Sequence, residues 1–310
     1  MAVTDLNQLD CTLQLLPISS MIRANLIAFC ILDAIPAVLT LVENGVFIRT
    51  LIKTKVLHTP SNILLGAMSV SDFLVGLTVQ PIIILRTVFM LTGREHRILN
   101  YVYFITCALC GGLSFLFASL ISVDRYVAIC HPFVYGRLST CKMHTCVVAI
   151  AGTIWTLYCL TIIFSLMHFM MSMTIFSIIA ILVILLCYAQ ISLVISKQKA
   201  TVIRLGTIDN IETQHANNGN NERKRKKKSV SNILGFFLVC YMPYVAWLIY
   251  FLARQGDKCD LTETEFVICL WKELFILMNS FFNPLVYCLG CKDICRSVCK
   301  IFRHDSVQPA

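Results

Sequence analysis

Asp33, Glu43, Asn44, Asp72, Ser114, Asn279, Ser280 and Asn283 all stand inside long apolar runs. Placing an ionisable side chain near the middle of a bilayer costs at least ~2.5–3.5 kcal/mol, so each needs a compensating partner. Taken alone, Asp72 has two readings: a hydrogen-bonded carboxyl tying helices together, or one ligand of a small hard cation, which prefers carboxylate, hydroxyl and amide oxygens. The sequence contains no HExxH, GxSxG or phosphate-binding glycine loop, so an enzyme is not expected. Sixteen cysteines invite a metal reading. Most lie in apolar runs, where cysteine behaves as a small hydrophobe, and the isolated Cys107-x-x-Cys110 is weak evidence for zinc.

The elements carrying these groups follow from composition. The chain has 310 residues, 57% hydrophobic and 14% charged, with a mean hydropathy of +0.76. A soluble domain of this size needs more charge to cover its surface, so much of the apolar excess must face lipid. Runs near 27–52, 61–89, 98–130, 229–253 and 264–289 match the ~20 residues that a crossing helix requires. Met143 to Ser196 forms 54 residues without Asp, Glu, Lys or Arg. One helix of that length would reach roughly 80 Å at ~1.5 Å per residue, so the run must fold back, with a short connection expected around His168 to Ser172. Seven spans result, and the expected fold class is an all-α membrane bundle.

Basic residues set the orientation. With the amino terminus outside, 19 of the 26 Lys and Arg fall on cytoplasmic segments. The expected organisation is an extracellular tail (1–25), a membrane domain (26–289) with a cytoplasmic linker (197–228), and an amphipathic helix with a cytoplasmic tail (290–310). The first 25 residues lack a basic start followed by an apolar core, so no cleaved signal peptide is expected. The absence of Asn-x-Ser/Thr sequons argues against N-glycosylation. Within the linker, DNIETQHANNGNNE has the composition of a flexible chain. RKRKKK (Arg223 to Lys228) directly precedes a membrane helix, where attraction to anionic lipid explains it better than nucleic acid does. Pro243 and Pro284 interrupt the sixth and seventh spans and create points of bending.

In this order, the motifs resemble the rhodopsin-like (class A) G-protein-coupled receptors. The matching marks are ENGVFI with Asn44, LHTPSNILLGAMSVSDFLVG with Asp72, and SVDRYVAICHPFVY with Asp124, Arg125 and Tyr126. Trp155, Tyr188, Pro243 in FFLVCYMP, and NSFFNPLVY with Asn283, Pro284 and Tyr287 complete the set. The resemblance implies plasma-membrane localisation, an extracellular ligand and a heterotrimeric G protein as partner. It implies a sodium ion as allosteric modulator at Asp72, Ser114, Asn279, Ser280 and Asn283. Arg125, Tyr188 and Tyr287 match the switch that rearranges when the sixth span swings outward, and Pro132-Phe133 match the loop that meets the G protein.

Three features are similar to the melanocortin, cannabinoid and adenosine branch: a minimal second outer loop, Ala180 where most relatives have proline, and adjacent Glu43-Asn44. Asn100 stands in place of the usual disulfide cysteine. Departures exclude several ligands. Cys107 occupies the amine-binding aspartate position, and Leu277 the retinal-lysine position. Ile82, Asn100 and Phe104 replace the melanocortin acidic cluster, while Leu248 replaces the adenosine-reading asparagine. Counting from the anchors, Asp33, Arg86, Tyr103, Cys107, Tyr244, Trp247, Leu248 and Glu273 should line the pocket. A lipid or small peptide suits it better than an amine. Tyr241 replaces the usual tryptophan of the sixth-span motif. Arg223 stands where many relatives hold an acid against Arg125, which implies raised basal signalling.

Cys11, Cys259 and Cys269 fall on the oxidising side. The resemblance to melanocortin receptors favours a Cys259–Cys269 disulfide, with Cys11 as the alternative partner. Cys291, Cys295 and Cys299 follow one another at four-residue steps beside Lys292, Arg296 and Lys300. That pattern suggests a palmitoylated helix on the inner leaflet. The competing reading of the whole chain, a transporter or channel using its intramembrane acids, would call for inverted repeats or broken helix pairs, and neither is found.

Overall fold

The structure, a computed structural model, describes residues 18–94, 97–163, 166–206, 239–247, 249, 250, 253, 262–290 and 292–305. Among these, every regular element is helical. The first span is Ser20–Lys53, the second Pro60–Leu91 and the third Ile98–Cys130. Cys141–Cys159 forms the fourth and Leu166–Gly206 contains the fifth. Residues 239–247 belong to the sixth, and Glu263–Gly290 forms the seventh. A short helix, Pro132–Leu138, joins the third to the fourth, and Lys292–Asp305 follows the seventh.

The first span shows why these helices need lipid. Its exposed face carries Ile27, Ile31, Ile35, Val38 and Val42 at helical spacing. Its buried face carries Asp33, Thr40, Asn44 and Thr50, all fully inaccessible. Polar groups therefore point inward and aliphatic ones outward, as expected where the surrounding solvent is hydrocarbon. The helix starts at Ser19, whose hydroxyl accepts from the Ile22 amide at 3.2 Å and donates to Glu263 at 3.0 Å. One cap thus also ties the first span to the seventh. At the head of the seventh, Thr262 and Glu265 form a reciprocal capping box: the Thr262 amide donates to Glu265 Oε2 at 2.7 Å and the Glu265 amide to Thr262 Oγ1 at 3.3 Å.

Two spans contain a wide π-helical turn, Val75–Val79 in the second and Cys107–Gly111 in the third. Such turns rotate the rest of a helix and occur often at functional sites. Here they separate the Asp72 level from the outer half of the bundle. Trp155 packs beside the third-span turn and donates its indole N–H to the Ala108 carbonyl at 3.2 Å.

The reversal expected around His168 to Ser172 comes earlier. The fourth span ends at Cys159, Leu160–Ile163 continues as a tight 3-10 turn, and the fifth span has begun by Leu166. Ser172 bonds across to Tyr158 at 2.5 Å, and Phe169 stacks on the Tyr158 ring at 5.3 Å. The polar residues that suggested a turn instead fasten the two helices together. Pro36 and Pro284 both lie inside their helices.

The inner core joins Phe115, Phe117 and Ile121 of the third span to Ala180, Ile181 and Ile184 of the fifth and to Cys240, Tyr241 and Val245 of the sixth. Gly112 lets the fourth span approach: a Cβ there would lie 2.1 Å from Trp155 Cζ2. Gly112→Ala is therefore expected to force the indole away and cost about 1–3 kcal/mol. A lower melting temperature of purified protein is the measurement, and an unchanged one would contradict this packing.

Candidate functional site

Three polar centres lie at successive depths. The middle one is built on Asp72, which is fully buried. Its Oδ1 accepts from Ser114 Oγ at 2.6 Å and from Ser280 Oγ at 2.8 Å, while Oδ2 accepts from Asn283 Nδ2 at 2.8 Å. One carboxylate thus joins the second, third and seventh spans. Interhelical hydrogen bonds in membranes average ~0.6 kcal/mol with a maximum near ~1.7, so three offset a large part of the ~2.5–3.5 kcal/mol cost of inserting the acid. Asn279 is buried, with Nδ2 unpartnered. Asn44 donates to the carbonyls of Thr40 and Ser280 at 3.0 and 3.1 Å, bringing the first span to the same level. Tyr287 packs beside Phe47 and donates to Met68 Sδ at 2.9 Å.

All direct partners of the Asp72 carboxylate are neutral. With hydroxyl and amide oxygens beside it, the set suits a small hard cation. Among the described residues, no cluster of three His, Cys, Asp or Glu could hold a metal.

The outer centre brings together most of the expected ligand residues. Arg86 donates Nε–H to Asn100 Oδ1 at 2.9 Å, and its guanidinium lies over the Tyr103 ring at 5.0 Å. Glu273 stands 3.7 Å from Arg86 and 3.9 Å from Lys272. Lys272 lies over the Tyr244 ring at 5.6 Å. Cys107 is half-buried beside Tyr103, and Trp247 packs near Tyr250 at 5.7 Å. Asp33 sits on the first-span side and accepts from Gln80 Nε2 at 2.9 Å. Leu248 lies outside the described residues. Cys269 carries a free thiol one turn before Lys272. Its expected partners, Cys259 and Cys11, lie outside the described residues.

The third centre, at the far end of the third span, is built on Asp124. Oδ2 accepts from Ser61 at 2.7 Å, and Oδ1 from Tyr135 at 3.1 Å and from His144 Nε2 at 2.8 Å. Arg125 Nε is farther from Oδ2, at 4.0 Å. Tyr126 meets His131 at 3.2 Å. Pro132 opens the joining helix, and Phe133 is 88% exposed, so an apolar side chain projects from this end of the bundle. Tyr188 is half-buried on the fifth span. Higher up, Tyr241 stacks on Phe115 at 4.6 Å, two residues before Pro243. In the tail helix, Ile294 is buried while Cys295 and Cys299 are exposed. Cys291 and Arg223 lie outside the described residues.

These depths define a helical membrane bundle with a charged cluster towards one end, a buried carboxylate centre and a polar knot towards the other end. The family described as "7 transmembrane receptor (rhodopsin family)" matches residues 43–173 and 165–287. The chain belongs to that family, whose members are multi-pass receptors and not enzymes. Its similarity to curated proteins is spread over most of its length. It is 25% identical to trace amine-associated receptor 6 of Homo sapiens over 290 residues, 82% of this chain and 79% of that one. It is 26% identical to trace amine-associated receptor 9 of Rattus norvegicus over 308 residues, 87% of each chain. These relatives lend no support to the expected melanocortin, cannabinoid and adenosine branch. The transporter reading is not favoured.

Three participants escaped sequence reasoning. Lys272 was not among the residues expected to line the pocket, although the neighbouring Lys272-Glu273 pair signalled a charge cluster. Gln80 carried a signal as a lone amide in an apolar run. His144 had none, because only folding brings the fourth span's first turn to Asp124. His144 Nδ1 faces the Thr140 carbonyl at 3.1 Å while Nε2 faces the carboxylate. Replacing His144 by Leu removes a buried partner of Asp124 and should cost about 1–3 kcal/mol. Thermal melting of the purified chain checks this, and an unaltered midpoint would show that Ser61 and Tyr135 suffice.

Proposed function

We propose that this protein is a G-protein-coupled receptor that relays binding of a non-amine extracellular ligand, a lipid or small peptide, to a heterotrimeric G protein. The observation that carries the reading is the family match through residues 43–287, with Asp72 at its centre tying three spans. Ligand binding above this centre favours the signalling arrangement by its differential affinity for it. The sixth span then moves outward at Pro243, and Arg125 leaves Asp124 to meet Tyr188 and Tyr287. Phe133 contacts the G protein. The amino terminus faces outward and the carboxyl terminus inward.

Although the relatives are named for trace amines, Cys107 offers an ammonium group no counter-charge, and that supports a different ligand class. Asp72, Ser114, Ser280, Asn283 and Asn279 are the residues that would hold sodium. Its charge would offset the buried carboxylate and favour the resting bundle.

Guanine-nucleotide exchange in membranes containing the full chain and a panel of heterotrimers tests the reading. Exchange without ligand should exceed that of mock membranes, consistent with Arg125 lacking an acid on the sixth span. Sodium should lower it in the wild type and leave Asp72→Asn unaffected. Ligand-free exchange equal to mock would overturn raised basal signalling, and no exchange with any heterotrimer when lipid and peptide libraries are added would defeat the receptor reading. Wild-type exchange indifferent to sodium would remove the cation site alone. Cys291, Cys295 and Cys299 are the proposed palmitate sites. Metabolic palmitate incorporation should be lost when all three become Ser, and full retention would exclude them.

A further inference from the structure

The outer centre has a charge imbalance that selects the ligand's chemistry. Two cations, Arg86 and Lys272, share one carboxylate, Glu273, at 3.7 and 3.9 Å. Both separations exceed hydrogen-bond length, so neither cation is satisfied by that carboxylate. Asp33, the nearby acid on the first span, bonds through Oδ1 to the neutral Gln80 amide and lies beyond ion-pair distance of both cations. Arg86 is held in place without being neutralised. Its Nε–H is fixed by the neutral Asn100 amide and its flat face lies on Tyr103. Of five guanidinium N–H groups, that leaves the terminal fork, which pairs bidentately with a carboxylate or phosphate. Lys272 approaches Glu273 from the other side and lies over Tyr244.

We infer that this cluster is an anion subsite, in which Arg86 and Lys272 receive a carboxylate or phosphate head group. The ligand's apolar part packs against aromatic residues of the outer pocket, including Tyr103, Tyr244 and Trp247. Glu273 holds the two cations apart before binding and keeps their combined charge from being prohibitive. An ammonium ligand would instead compete with both cations for Glu273 and add a third positive charge. The inference deepens the receptor reading above, because it names the chemical class that the proposed pocket takes.

The experiment uses the full chain, purified in excess non-ionic detergent, and follows its melting with four additives of one tail length. These are dodecanoate, monododecyl phosphate, dodecanol and dodecylamine; acetate and inorganic phosphate supply the head groups without a tail. At least one of the two acids should raise the melting temperature above any effect of the alcohol or the amine. Arg86→Gln and Lys272→Gln should each raise the concentration needed by about tenfold, equivalent to ~1.4 kcal/mol. Arg86→Lys, which keeps charge but loses the fork, should fall between. Stabilisation by acetate or inorganic phosphate alone, lost in the same variants, would identify a free anion as the occupant. Stabilisation by dodecanol equal to that by the acids overturns the inference, as do acids without effect and acids acting on both Gln variants as strongly as on the wild type. If a Gln variant fails to fold, the wild-type head-group comparison still decides. Melting requires no G protein, so failure here leaves the exchange test of the receptor reading untouched, and the converse also holds.

Discussion

A buried carboxylate surrounded by neutral donors is the constraint on which this bundle depends. Lipid supplies no hydrophobic force to press one helix against another, so association rests on packing and on polar contacts between helices. Asp72 requires donors, and they come from Ser114 on the third span and from Ser280 and Asn283 on the seventh. Asn44 extends the arrangement to the first span through the Ser280 carbonyl. Four helices are thereby registered at one depth. The same groups are only marginally satisfied, with Asn44 Oδ1 and Asn279 Nδ2 unpartnered. A centre balanced in this way holds the bundle together and still leaves room for an alternative set of contacts.

The outer and inner centres are positioned by that registration. The second span passes from Asp72 through the π-helical turn at Val75–Val79 to Gln80 and Arg86. In the third span, the turn at Cys107–Gly111 lies between Tyr103 and Ser114, and Trp155 anchors it from the fourth. Below, the third span delivers Asp124 to Ser61, Tyr135 and His144, groups from three other elements. Asp124 is thus well supplied without Arg125, whose 4.0 Å approach is the loosest of its contacts.

Much of this was legible in the sequence, and the reason is physical. Polar groups are expensive in oil, so each had to find a partner; the resemblance grouped Asp72 with Ser114, Ser280 and Asn283, and the structure joins them directly. Asp33, by contrast, stands apart with Gln80, because an acid in an apolar run announces that it needs a partner without saying which. The turn between the fourth and fifth spans was misplaced for a related reason. Through 54 residues without a charge, hydropathy has no contrast with which to locate a reversal, and Leu160–Ile163 is itself apolar. Ser172 looked like a turn residue and is an interhelical clasp.

The least legible feature is the balance of charge, which depends on distance and not on composition. Arg86, Lys272 and Glu273 are three formal charges in any reading of the sequence, and one pairing among them would be unremarkable. Their placement changes what they can do. A single carboxylate midway between two cations, out of hydrogen-bond reach of both, leaves the cations attracted but not satisfied. Cys107 cannot correct this, since a thiol contributes no comparable counter-charge. The outer centre therefore sets two cations and one carboxylate beside the Tyr103 and Tyr244 rings. In a family whose similar members are named for amines, this chain carries Cys107 where the resemblance places an aspartate and gathers an arginine and a lysine about one glutamate, an arrangement that no count of charges displays.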